Sequence, residues 1–345
     1  MKKLLRQVLP VLLAFALLAY ALRGMPLASL LDQFQKASRG WIAVTALVMG
    51  IQTILRAVRW RMLLQGLGHN PSAGRALSAM LAGSASSVII PGSGELLRCT
   101  LLQRSDNVPI TESVGSVITE RLVDLVTTAI FLTLTLLLES GRLLAYVEQY
   151  MTLPPWFSAM SGGQWLGLAA GVLLSIALTI IALRSVLRWQ SVQRLAERIR
   201  LRERAEGFGR GLLSIRKLER PSLYWLTTFC IHGLSLVVLA SLFRALPITE
   251  NLPNSAALTV FALTSLGSLT IPTQANIGSY HFLASRGLVA YGMSLVNGTV
   301  WATFSHAIIT LVNFAFSAVG FLAALRFLRG KEKIVQVSDG SARPL

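Results

Sequence analysis

The chain has 345 residues, of which 53% are hydrophobic and only 14% charged, and its formal net charge is +17. A charged share roughly half that of a soluble domain, with the apolar residues gathered in long blocks, excludes a water-soluble globular fold. It also makes nucleic-acid binding a poor account of the basic balance, because the basic residues sit between and beside the apolar blocks.

At the N-terminus, Lys2, Lys3 and Arg6 precede an apolar run from Val8 to Leu22, with Ala19-Tyr20-Ala21 near its end. This pattern fits a cleavable signal and also a short first span with a basic cytoplasmic start. We read it as a retained span; either reading leaves residues 24–40 outside. Trp41 to Trp60 is a span bracketed by interfacial tryptophans. Residues 76–91 are apolar and rich in small side chains. They end in Ile89-Ile90-Pro91-Gly92-Ser93-Gly94-Glu95, and a second stretch follows to Leu102. Residues 114–138, 164–183 and 223–243 read as spans. Residues 255–271 end in Leu269-Thr270-Ile271-Pro272, a Gly- and polar-containing piece covers 273–294, and residues 295–325 hold a last long span.

Loop charge orients these elements. Residues 184–222 hold eleven Arg or Lys against four Glu, a net of +7, and belong on the cytoplasmic side. Residues 139–163 carry Glu139, Arg142 and Glu148, a net of −1, and belong outside. Residues 244–254, with one Arg and one Glu, fit outside, and the basic tail from Arg326 fits inside. Eight complete crossings would contradict these assignments. The conflict disappears if 76–108 enters from the cytoplasm and returns, while 255–290 enters from outside and returns. The expected architecture is therefore an all-α integral membrane protein. It has six full spans, near 8–22, 41–60, 114–138, 164–183, 223–243 and 295–325, plus two oppositely oriented re-entrant broken helices. One membrane domain covers 1–330, with 184–222 as a basic connector against anionic lipid, and 331–345 is a short cytoplasmic tail. Both termini face the cytoplasm.

A broken helix in lipid exposes backbone groups at several kcal/mol each, so breaks survive where protein or a polar cavity satisfies them. Both breaks carry Ile-Pro after a small-residue helix, Ser86-Ser87-Val88-Ile89-Ile90-Pro91 and Ser268-Leu269-Thr270-Ile271-Pro272. Entry from opposite faces is the pattern of an inverted repeat in a transporter; two unrelated proline breaks are the alternative.

The polar residues inside apolar elements carry the functional signal. Arg56 and Arg59 share a face of the second span; Arg56 either snorkels to the interface or faces a cavity and holds an anion. Glu95 and Arg98 follow the first break. They either close a polar loop as a local pair or serve function at a helix start whose free N–H groups bind anions. Glu120, Arg121 and Asp124 lie within the 114–138 span. They either neutralise arginines across the bundle or line a path for a charged headgroup. Around the second break cluster Thr270, Thr273, Gln274, Asn276, Ser279, Tyr280 and His281. His306 and Asn313 share a face of the last span, and His232 reads as a packing residue. The two cysteines, Cys99 and Cys230, and the four histidines show no metal spacing.

Three ordered motifs, Arg56-Ala57-Val58-Arg59-Trp60, Pro91-Gly92-Ser93-Gly94-Glu95-Leu96-Leu97-Arg98 and Glu120-Arg121-Leu122-Val123-Asp124, resemble the flippase-like membrane domain of lysylphosphatidylglycerol synthases. Ile271-Pro272 with Asn276-Ile277-Gly278 fills the place of that family's second break, and the likeness covers about residues 1–330. His281 stands where the family pattern leads one to expect an acidic residue. The resemblance implies translocation of a lipid with a charged or glycosylated headgroup, by a stand-alone member without the synthase domain. Its expected substrate site comprises Arg56, Arg59, Glu95, Arg98, Glu120, Arg121, Asp124, Thr273, Gln274, Asn276 and His281. No catalytic set, metal or cofactor is expected, and no ATP-binding motif is found. The expected substrate is an anionic or polyprenyl-linked envelope lipid of the bacterial cytoplasmic membrane. A homodimer or an association with envelope-synthesis enzymes is open. The competing classes are a membrane glycosyl- or phospho-transferase, using Glu95 or His281, and a non-transporting scaffold.

Overall fold

A computed structural model describes residues 27–89, 93–150, 202–270 and 274–338, with a few helical residues between 163 and 171. The expected spans at 8–22 and 164–183 fall outside, or almost wholly outside, the described residues, as do Ile90, Pro91 and Gly92 of the first break and Ile271, Pro272 and Thr273 of the second.

Every described element is helical. In chain order they are α1 (Leu27–Lys36), α2 (Arg39–Gln65), α3 (Ala73–Ile89), α4 (Ser93–Asp106), α5 (Ile110–Tyr150), α6 (Arg202–Leu212), a 3-10 turn (Ser214–Lys217), α7 (Pro221–Arg244), α8 (Asn254–Thr270), a 3-10 turn (Gln274–Asn276), α9 (Ser279–Val289) and α10 (Leu295–Ser338). Within these, Arg39–Gln65, Ile110–Arg142, Pro221–Arg244 and Leu295–Phe327 are long and apolar enough to cross a bilayer. They coincide with four of the expected spans. Their outward faces carry large apolar side chains that water would not tolerate in such number, among them Leu47 and Leu138, each 65% exposed, and Val319, 64% exposed. Two boundaries move. α5 runs twelve residues past Leu138 into the expected external loop, and α10 continues through Ser338 into the expected tail.

The helices on either side of each break are short. α3 and α8 have 17 residues each, α4 has 14 and α9 has 11. At 1.5 Å per residue the longest of these reaches about 25 Å, against about 30 Å of hydrocarbon. Each pair packs against itself as a hairpin. In the first, the backbones meet so closely that a Cβ on Gly83 would lie 2.5 Å from the Gly94 carbonyl oxygen. Ser93 Oγ donates to the Ser86 carbonyl at 2.7 Å, closing the hairpin just beside the break. In the second, Gly267 admits Leu283, and a Cβ on Gly287 would lie 2.9 Å from a Leu263 methyl.

The chain divides into two compact units. One contains 1–49, 124–193 and 232–310, and so the α8–α9 hairpin; the other contains 50–123, 194–231 and 311–345, and so the α3–α4 hairpin. In the second of these, Ala57, Trp60 and Leu64 of α2, Ala79 and Met80 of α3, Cys99 and Leu102 of α4 and Val117 of α5 form one apolar core. α6 is held against the start of α5 by small residues: a Cβ on Gly115 would lie 2.8 Å from Gly211 Cα, and Thr119 Oγ1 donates to the Leu212 carbonyl at 2.8 Å. In the other unit, Trp301 stacks on Phe243 with ring centroids 4.5 Å apart and donates its indole N–H to the Leu242 carbonyl at 3.2 Å.

Candidate functional site

The first hairpin carries a buried charge cluster. α2 brings Arg59, α4 brings Arg98 and α5 brings Glu120, all on the core-facing sides of their helices. Arg59 Nη2 donates to Glu120 Oε1 at 3.0 Å, and Arg98 Nη2 donates to Glu120 Oε2 at 2.7 Å. The three side chains are 1%, 6% and 5% exposed. One carboxylate thus binds a guanidinium on each oxygen, and the trio carries a net charge of +1. Separating either arginine from Glu120 would strand a charge in low dielectric, which is why these buried groups are mutually bonded.

Trp60 supports the cluster. The Arg98 guanidinium lies over its ring at 4.5 Å, and the indole N–H donates to Ser116 Oγ at 3.1 Å. Ser116 in turn donates to the Ser113 carbonyl at 2.7 Å. The chain of contacts fixes the tryptophan face and with it the arginine. Of the five N–H groups on a guanidinium, Arg98 directs one to Glu120.

Arg121 lies one residue further along α5 and points elsewhere, bonding Glu95 of α4. Glu95 and Arg98 therefore do not close a local pair; each turns to α5, Glu95 to Arg121 and Arg98 to Glu120. Arg56 is exposed on the surface of α2, although it lies only three residues before Arg59, and Asp124 is half-buried. Of the seven charged residues expected on this side, four form two pairings between α4 and α5, Glu95 with Arg121 and Arg98 with Glu120, and Arg59 of α2 joins the second through Glu120.

A second charged cluster, Glu112 with His69 and Arg210, was not singled out in the sequence. Glu112 Oε2 lies 2.6 Å from His69 Nε2, and Arg210 donates from Nε to Oε1 at 2.9 Å, with its Nη2 2.7 Å from the same oxygen as an ion pair. The partners are 43 and 98 residues away, so no local spacing could announce them. Arg75 and Asp106, at the two outer ends of the first hairpin, pair at 2.8 Å and close its mouth.

The second hairpin carries polar and aromatic groups in place of carboxylates. The turn after its break is left-handed at Ala275 (φ 50°), Asn276 (φ 59°) and Gly278 (φ 83°), a conformation costly for residues with a Cβ. His281 Nδ1 accepts from the Gly278 N–H at 3.3 Å. His306 of α10 donates from Nε2 to the Ala275 carbonyl at 3.1 Å. The two imidazoles lie 4.9 Å apart, and the Tyr280 hydroxyl meets Ser305 Oγ at 3.1 Å. Asn276 is exposed and His281 buried; Gln274 lies in the 3-10 turn, and Thr273 lies outside the described residues. His232 stacks on Phe131 and meets Phe261 edge-on. At the mouth of this hairpin Thr259 Oγ1 and the Tyr291 hydroxyl are 2.8 Å apart, and Arg142 covers the Tyr291 ring at 4.2 Å. Burial raises the Tyr291 phenol above its ordinary value, so it stays neutral.

Among the described residues no group of three or more His, Cys, Asp or Glu is placed to hold a metal ion. Long apolar helices, two hairpins of short helices and a buried arginine–carboxylate cluster describe a multi-span, all-α membrane protein. The chain belongs to the family described as the lysylphosphatidylglycerol synthase TM region, whose model matches residues 7–317. Comparison with curated proteins and with solved structures gave no match.

Proposed function

We propose that the protein translocates an anionic or polyprenyl-linked envelope lipid across the bacterial cytoplasmic membrane. The headgroup passes a polar site beside the helix breaks while the tails remain in the bilayer. The observation that carries this reading is the Arg59–Glu120–Arg98 cluster: two arginines and one carboxylate, buried beside a re-entrant hairpin in a membrane protein. Intramembrane ionisable groups of this kind mark substrate pathways. A phosphate is the natural ligand for a guanidinium whose face is held by an aromatic ring and whose other donors remain oriented. The start of α4 adds N–H groups near the break.

The topology follows from charge. The first hairpin opens beside the basic connector, through Asp106, Glu112 and Arg210, and enters from the cytoplasm. The second opens beside Glu139 and Arg142, on the acidic loop, and enters from outside. The Ile-Pro break after a small-residue helix in each hairpin fits an inverted repeat. Membership of a lysylphosphatidylglycerol synthase membrane family supports a phospholipid substrate.

The test is binding of phosphatidylglycerol to purified full-length protein and to Arg98→Gln. Removing Arg98 leaves the Arg59–Glu120 pair neutral, so the variant folds. Loss of a charge-assisted hydrogen bond to phosphate weakens binding about tenfold or more. Wild-type affinity in a folded Arg98→Gln protein would remove Arg98 from the substrate site.

A further inference from the structure

The second hairpin differs from the first in its charge inventory. From Asn251 to Lys331 the sequence contains no Asp or Glu. That stretch covers α8, the left-handed turn, α9 and the whole membrane portion of α10. The same stretch holds His281, Arg286 and His306. Among the described residues, α9 carries Tyr280, His281 and Arg286, α10 carries His306 and, only from Arg326 onward, further charged groups, and α8 and the turn carry none; α5, which meets α8 through Phe131 and Phe261, carries Asp124 and the Glu139–Arg142 pair. Arg286 sits over the Phe282 ring at 3.8 Å.

Hydrogen bonding fixes the two imidazoles differently. His281 accepts the Gly278 N–H at Nδ1, so its own proton is on Nε2. A proton added to Nδ1 would break that bond and disturb the turn. His306 donates from Nε2 to the Ala275 carbonyl, leaving its Nδ1 as the acceptor. A proton added there keeps and strengthens the Ala275 bond. With 4.9 Å between the rings, two imidazolium charges would repel strongly at low dielectric. A single proton added to the pair would therefore sit on His306, with His281 neutral and holding Gly278. The positive charge so created has no carboxylate within its own stretch of chain to balance it.

We propose that the His281–His306 pair is a proton-binding site whose counter-ion is the anionic headgroup of the lipid, so that one proton and one lipid phosphate bind the second hairpin together. This rests on the translocation reading for its ligand class and deepens it, since co-binding would let a proton gradient drive lipid movement. In the binding step, a proton from water forms the N–H bond at His306 Nδ1 and the phosphate enters as the counter-charge. By linkage, each ligand tightens the other by the same factor.

The experiment measures phosphatidylglycerol binding to the full chain at pH 5.5 and pH 8.0, with phosphatidylcholine as the neutral control. In parallel, imidazole nitrogen resonances are titrated with and without phosphatidylglycerol. The expected result is about tenfold tighter binding of phosphatidylglycerol at pH 5.5, with a matching rise of about one pH unit in the His306 midpoint. Phosphatidylcholine should produce neither. His306→Gln can still donate to Ala275 but cannot take the proton, so it should bind at both pH values with one affinity. His281→Gln, which can still accept from Gly278, serves as the second variant: removing the neighbouring imidazole should change the His306 midpoint. Equal wild-type affinity at the two pH values, or a pH dependence that survives in folded His306→Gln, would overturn the proposal. Proton-linked binding without any lipid movement would reject translocation alone, and movement without linkage would reject this site alone.

Discussion

Glu120 and Arg98 touch one another yet should fail in opposite ways when replaced. Glu120→Gln would leave two guanidiniums in the core, where an uncompensated buried charge costs about 3–5 kcal/mol. Arg98→Gln leaves a neutral Arg59–Glu120 pair. Thermal unfolding in a fixed detergent should therefore show Glu120→Gln as the less stable protein and Arg98→Gln near wild type. The reverse order would mean that Arg98, and not Glu120, is the keystone of the fold. The residue-level signal was partly legible. Ionisable residues within apolar blocks point alike to Arg56, Arg59, Glu95, Arg98, Glu120, Arg121 and Asp124, because burying them unpaired is so costly. Which pairs with which was not legible. Glu95 and Arg98 are three apart on one helix, but their partners lie 22 to 26 residues away on α5. Arg56 and Arg59 share a helix face in projection, yet one is exposed and the other buried. Trp60, which positions Arg98, read only as an interfacial tryptophan. His306 shares a face with Asn313 in sequence, and that spacing does not reveal the turn carbonyl it bonds.

At the scale of elements, apolar length identified the four described helices long enough to cross a bilayer to within a few residues at most ends, because hydrocarbon thickness dictates that length. Helix continuation past the bilayer, as at Tyr150 and Ser338, carries no apolar signature and was missed. Proline and glycine marked both breaks, and loop charge supplied their expected direction. The small-residue contacts that hold each hairpin closed, Gly83 on Gly94 and Gly267 on Leu283, fit the general use of small residues where membrane helices approach closely. Hairpin direction has a direct test. In a background with Cys99 and Cys230 replaced, Asn107→Cys should react with an impermeant thiol reagent from the cytoplasmic side. Asn254→Cys and Ser294→Cys, flanking the second hairpin, should both react from outside. Reaction of Asn254→Cys and Ser294→Cys from opposite sides would make 255–290 a full crossing and end the re-entrant account.

At the scale of the whole molecule, membership of a membrane family, two hairpins of short helices and a buried cationic cluster all support the proposed lipid translocation. The measurement that bears on it most directly is leaflet exchange in proteoliposomes. A fluorescent phosphatidylglycerol analogue is loaded in both leaflets and quenched from outside. With the wild-type full chain, the inner-leaflet fraction should become accessible well above the rate of protein-free vesicles, and folded Arg98→Gln should slow this about tenfold or more. An inner-leaflet fraction that stays as protected as in protein-free vesicles, or that is exchanged equally well by folded Arg98→Gln, would contradict the account.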